Sequence, residues 1–280
     1  MRHISLPTLT AAEAMDLCIE SVRDRDLKRR LGVARRHLEV AETEYLRLGR
    51  KAKLYQMPES HRIGRSLTHL EMDELYNGTF VRSARTRSAY GKLKKACTND
   101  ICPLCGQRTV HQLDHYLPIS RHALFGITAS NLVPACSDCN KIKLAYVATT
   151  AAEQTLHPYF DDVEGERWLF AKVTQNPGSL LFFARPSVAF GKTIRERIKV
   201  HFETFSLATL YSSHAGAEIS DIKHHLIRLS TRRGATARIR AYLQDQADSR
   251  GNAHVNSWQA ATYEALAAST WFCGGGFISF

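Results

Sequence analysis

Apolar residues recur at helical spacing along much of this chain. Thr10-Ala11-Ala12-Glu13 has the form of a capping box, and Ala14, Leu17, Cys18 and Val22 follow at helical spacing, which predicts a first helix to about Arg23. From Leu27 to Leu54, Leu31, Val33, Leu38, Val40, Ala41, Tyr45, Leu46 and Leu48 sit among alternating charges, the pattern of a long, partly exposed helix that ends before Pro58. Thr68 to Asn77 and Phe80 to Ala96 read as two further helices, the second bearing Arg82, Arg85, Arg87, Lys92, Lys94 and Lys95 with Tyr90 among them. Arg167 to Thr174 and Ser179 to Ala184 read as short strands around Asn176-Pro177-Gly178, a hairpin signal. Helices then dominate, roughly Ile194 to Leu210, Ile219 to Leu229, Ala235 to Gln246 and Ser257 to Trp271, with no internal repeat. The class this pattern predicts is α+β and mainly helical. It falls into a basic helical region over 1–97, a motif-bearing core over 98–150 and a mixed, then helical region over 151–280.

A hydrophobic fraction of 44% in 280 residues is enough to bury a globular core and excludes a disordered or fibrous chain. No apolar run approaches the roughly 20 residues that span a bilayer, and Met1 to Thr10 lacks the apolar core of a signal peptide, so a cytoplasmic protein is expected. The net charge of +11 points to a polyanionic partner. Residues 1–100 hold 20 Lys and Arg against 13 Asp and Glu, about +7, so this region carries more than its share. The clusters Lys28-Arg29-Arg30 and Arg35-Arg36 fit either a solvated helix face or a nucleic-acid contact.

The seven cysteines are an odd number and include two C-x-x-C pairs, which argues for metal rather than a disulfide framework. Cys102-Pro-Leu-Cys105 and Cys136-Ser-Asp-Cys139 can each present two thiolates to one ion, and four sulfurs complete the closed tetrahedral shell of structural zinc. Cys18, Cys97 and Cys273 are left as buried filler. Thirty residues, 106 to 135, separate the pairs, more than in a simple zinc ribbon, so the zinc staples the base of an insert. That insert holds Leu113-Asp114-His115-Tyr116-Leu117-Pro118 and Asn131-Leu132-Val133-Pro134, and Asn140-Lys141-Ile142-Lys143 follows the second pair.

This order of motifs, over about residues 102–145, resembles the HNH or ββα-metal nucleases, in the style of the stand-alone bacterial HNH proteins of anti-phage defence systems. The resemblance implies two strands and a helix around one divalent ion, embedded in the helical chain and stapled by zinc. It makes His115 the general base that activates water for attack on phosphorus, a role that suits an imidazole near neutral pH. Asp114 and Asn140 become the oxygen ligands of a hard cation, Mg²⁺ or Mn²⁺, with Asn140 standing where many members carry histidine. Asn131 becomes the brace of the loop that orients the base. Lys143, with Lys141, is placed to meet a phosphate, and Arg87 and Lys94 on the preceding basic helix are further candidate DNA contacts. Adjacent strand residues face opposite ways, so Asp114 and His115 share a site only if the strand ends or twists there.

The function expected from the resemblance is a metal-dependent DNA endonuclease in anti-phage defence, with an operon-encoded ATPase as a candidate partner. Two alternatives stay open: a zinc-stapled subunit that binds nucleic acid or protein without cutting, and a mobile-element nuclease of the homing type. His111 and His122 are expected at the surface or in loops, His157-Pro158-Tyr159-Phe160 as a packing element that closes the domain, and His224-His225 as exposed.

Overall fold

The computed structural model describes residues 1–65, 67–144, 146–175 and 178–280. The chain divides into two compact units, Met1–Asp162 and Val163–Phe280, each described by itself. It is mainly helical with small antiparallel sheets, compatible with the α+β class.

The first unit begins with α1 (Ala11–Ser21), and the expected capping box forms: Glu13 N–H donates to Thr10 Oγ1 while the Glu13 carboxylate accepts from Thr10 N–H. Asp24 caps α2 (Arg25–Gly49), accepting from Leu27 N–H at 2.6 Å. This helix stops five residues short of the expected end. It buries Leu31, Ala34, Leu38, Tyr45 and Leu48, a stripe of three-, four- and seven-residue steps, and leaves Val33 and Val40 in solvent. A short pair, β1 (Arg62–Ile63) and β2 (Leu67–Thr68), leads into α3 (His69–Glu74), which carries a second capping box, Thr68 with Glu71. The Thr68–Asn77 helix is therefore shorter than its pattern suggested, and it continues as a π-helical segment over Leu75–Phe80. The Phe80–Ala96 helix shrinks to α4 (Arg87–Lys94), which leaves Arg82 and Arg85 outside it.

Next come β3 (Gln112–His115), β4 (Leu132–Ala135) and α5 (Ser137–Lys143), a β–β–α succession in which the strands pair antiparallel, Asp114 opposite Val133 and His115 opposite Leu132. Residues 98–150 share one hydrophobic core with the helices before them: Leu113, Ala123, Ile127, Ala129 and Leu132 pack with Met15, Leu31, Leu38, Met72 and Phe80. Even the first residues join in, since Arg2 N–H donates to Pro103 O at 2.8 Å and Ile4 N–H to Pro158 O at 2.9 Å.

In the second unit the expected hairpin forms from β5 (Leu169–Gln175) and β6 (Gly178–Ala184), while Asn176 and Pro177 of its turn lie outside the described residues. Helices α6 (Lys192–Thr204), α7 (Leu207–Ser230), α8 (Ala235–Ala253), α9 (Trp258–Ala268) and α10 (Thr270–Cys273) follow, with α9 packed on β5 and α7 on β6. The break expected between Leu210 and Ile219 is absent. It falls instead at Phe205–Ser206, where Ser206 takes a left-handed φ of 49°.

At Gly49 the α2 backbone lies under the Phe160 ring, and an added methyl would stand 2.6 Å from Phe160 Cζ. Gly49→Ala is expected to destabilise the first unit by about 1–3 kcal/mol through overpacking; an unchanged urea midpoint would show that the ring yields freely.

Candidate metal centre and histidine site

Two tight turns bring the cysteines together. After Cys102 the chain turns back with Gly106 N–H donating to Cys102 O at 2.8 Å, helped by the left-handed φ of 65° at Gly106. Backbone N–H groups aim at sulfur from both turns, Arg108 N–H at Cys105 Sγ (3.5 Å) and Cys139 N–H at Cys136 Sγ (3.4 Å). Cys136 caps α5, so the second pair rides on that helix. All four Sγ atoms lie within 4.8 Å of one another and all four residues are buried. A tetrahedral ion with bonds of about 2.3 Å needs sulfurs about 3.8 Å apart, a spacing this bound admits. Neighbouring thiols, Cys102 first, hold the Cys105 and Cys136 thiols below the ordinary range. Four buried sulfurs cannot all ionise without a cation among them, and a soft, closed donor set of this kind fits zinc. Cys18, Cys97 and Cys273 are buried elsewhere, as expected of filler.

On the β3 side of this staple, His115 is half-buried, with its ring edge-on to Tyr76 at 4.5 Å. Its Nε2 lies 2.8 Å from Gly126 O. A carbonyl only accepts, so Nε2 carries the proton and Nδ1 of the neutral ring keeps its lone pair. Burial lowers the His115 pKa to about 4, with the Gly126 hydrogen bond opposing, so the ring is neutral at pH 7.

The position of Gly126 is fixed by Asn131. This side chain is fully buried. Its Oδ1 accepts from Leu117 N–H (2.8 Å) and Tyr45 OH (3.0 Å), and its Nδ2 donates to Leu117 O (3.0 Å) and Phe125 O (3.1 Å). One carboxamide thus ties together both ends of the 117–125 loop, next to the carbonyl that holds His115. Behind it, Tyr159 N–H donates to His157 Nδ1 (3.2 Å), which leaves Nε2–H of the neutral His157 ring to donate to Tyr45 OH (3.1 Å). His157 is accordingly a buried packing element, as its motif suggested, and it serves the clamp through Tyr45.

Asp114 and His115 do part to different partners, but β3 ends there and one residue reaches both. Lys143 Nζ sits 3.0 Å from Asp114 Oδ2 and donates to His115 O at 2.6 Å. Lys143 is only 3% exposed and Asp114 5%. The expectation that Lys143 meets a phosphate is thereby corrected: its ammonium is spent inside, because a buried carboxylate draws the nearest cation. Burial raises the Asp114 pKa while Lys143 opposes the rise. Asn140, half-buried and three residues before Lys143, shares its face of α5, and its amide makes no hydrogen bond among the described residues. Lys141 and Arg87 are exposed, and Lys94 is half-buried with Nζ 3.4 Å from His111 O. His111 is at the surface, whereas His122 is 1% exposed, a correction to the surface reading: its loop is folded under the segment around Ser60.

Sequence reasoning missed Gly126, Tyr45 and Tyr76. A backbone carbonyl carries no side-chain signal, and the two tyrosines come from segments that patterning marks only as helical core. Asn131→Asp keeps the shape but puts acceptors against the Leu117 and Phe125 carbonyls and should lower stability by at least about 3 kcal/mol; denaturation at wild-type stability would remove the clamp. Cys102→Ser or Cys136→Ser should abolish bound zinc and lower the melting point by several degrees, since structural zinc contributes folding free energy; retained metal by elemental analysis with unchanged melting would refute the zinc assignment.

Among the described residues no helix is long and apolar enough to cross a membrane. No family model matches the chain, and no solved structure matches it. It is similar to Protein ea31 of Escherichia phage lambda, 25% identical over 297 residues that cover 98% of this chain and all of that protein.

Proposed function

We propose that the first unit is an HNH (ββα-metal) nuclease core and that the protein hydrolyses phosphodiester bonds of DNA. The observation that carries the reading is the neutral His115, locked with Nε2–H on Gly126 O by the Asn131 clamp. A base needs a fixed lone pair that is free at working pH, and Nδ1 meets both conditions. A phosphodiester brought beside the ring raises its proton affinity, because an anion favours the imidazolium. The β–β–α order, β3–β4–α5, and the four-sulfur staple at its base support the same reading.

Asp114 and Asn140 are the residues that would hold Mg²⁺ or Mn²⁺: one carboxylate oxygen outside the Lys143 pair and one unengaged amide oxygen, a sparse oxygen set of the kind that leaves room for waters and phosphate. When bound, such an ion stabilises charge on the scissile phosphate and leaving oxygen. His115 takes the proton of the attacking water at Nδ1, and Tyr76 against the ring keeps it from turning away. Exposed Lys141 and Arg87 remain as phosphate contacts.

The likeness to a phage protein favours a second setting for the same chemistry, a nuclease carried by a mobile element, beside the role in anti-phage defence. That setting demands a long specific site, so cutting of mixed-sequence DNA would count against it. With supercoiled plasmid and Mg²⁺ or Mn²⁺, wild-type protein should yield nicked or linear forms that EDTA suppresses. His115→Ala should slow this by about 10²- to 10⁴-fold while DNA binding persists. Equal cutting by both proteins would overturn the base assignment, and binding without any cutting would favour a non-cleaving binding subunit.

A further inference from the structure

In the second unit some arginines are answered by carboxylates. Arg167 forms a bidentate pair with Glu264, and Arg250 pairs with Glu218 while lying over the Tyr263 ring. The turn between α7 and α8 is different. From Asp221 to Asp245 the chain carries Lys223, Arg228, Arg232, Arg233, Arg238 and Arg240, and no Asp or Glu lies between those two aspartates. Arg228 is in the last turn of α7, Arg232 and Arg233 are in the connection, and Arg238 is in the opening of α8. All four are exposed, and among the described residues none has a carboxylate within ion-pair distance.

The backbone beneath them is held in one shape. Arg232 N–H donates to Leu229 O at 3.2 Å, Thr231 Oγ1 to Arg228 O at 3.0 Å, and Arg238 Nε to Arg233 O at 3.2 Å. Gly234 makes the reversal with a left-handed φ of 73°, and α8 then opens with no side-chain cap and no acidic residue in its first turn. Four uncompensated guanidinium groups thus lie within eleven residues of one another, on one turn and the helix ends that flank it.

We propose that this arginine knuckle grips the phosphate backbone of duplex DNA. The choice of polyanion rests on the nuclease reading, whereas the charge and exposure of the knuckle do not. Arginine forks match phosphate oxygens two at a time, and each neutralised phosphate releases condensed counterions. Protein interfaces also use arginine anchors, but in company with tryptophan and tyrosine in desolvated pockets, and from Arg228 to Arg238 the chain has no aromatic residue and all four arginines are exposed. Backbone contacts of this kind hold a duplex in register without reading its sequence.

The test uses the full chain with His115→Ala, so that cleavage plays no part, and a labelled mixed-sequence duplex of about 30 base pairs without divalent ions, titrated across a salt series. Replacing Arg228, Arg232, Arg233 and Arg238 by Gln should weaken binding at least tenfold near 0.1 M salt and flatten the slope of log K against log salt by about 0.9 for each lost contact. A melting curve of the variant checks its fold. Independently of any arginine substitution, adding the duplex should protect the amides of residues 228–240 from hydrogen exchange. Unchanged affinity and slope, or no protection there, would overturn the proposal. So would loss of polyglutamate binding in the Gln variant with duplex binding intact, since that marks an acidic-protein dock. If the knuckle binds DNA but wild-type protein cuts no plasmid, the nuclease reading fails alone; if plasmid is cut and the Gln variant binds as before, the knuckle fails alone.

Discussion

A single buried carboxamide, that of Asn131, answers four polar groups that no strand or helix can satisfy. It bridges Leu117 and Phe125 across the loop between β3 and β4, and it meets Tyr45 from α2. Backbone groups that are buried without partners cost free energy of the order of 1–3 kcal/mol each, so this irregular loop is held only because one side chain offers both donors and acceptors at the right places. The Gly126 carbonyl, and therefore the orientation of His115, follows from that.

The clamp is itself supported from two directions. The relay Tyr159 N–H to His157 to Tyr45 to Asn131 has a consistent proton arrangement, since each group donates forward to the next. On the other side, the four-sulfur cluster brings the start of α5 beside the turn that precedes β3, and α5 carries Asn140 and Lys143. In the first unit the helices supply the core and the sulfur cluster supplies the fixed point. The ends of short strands, where regular pairing stops, are then free to carry chemistry.

The legible parts were those in which a local rule and the tertiary structure agree. Thr10 with Glu13 marked the start of α1, and two short strand-like runs around the Asn176-Pro177-Gly178 turn signal marked the β5–β6 hairpin. The cysteine pairs were readable because thiolates at that spacing do little else. Helix ends were less legible: α4 lost its first turns because Phe80 and Val81 belong to a π-helical segment and its exit, where tertiary packing overrides propensity. The break at Ser206 gave no signal, since serine rarely adopts a left-handed conformation and nothing local demands it. Lys143 was misread for a related reason. Its spacing from Asn140 was right, but the sequence does not show that a buried carboxylate lies on the same side.

That internal pair has a consequence for metal uptake. Asp114 already pairs with an ammonium, so on the nuclease reading any Mg²⁺ or Mn²⁺ would load beside a resident positive charge. An ion held on the other Asp114 oxygen would feel the neighbouring ammonium, which weakens apparent affinity. Lys143 is in this sense a resident counter-ion for a carboxylate that the fold has taken out of water.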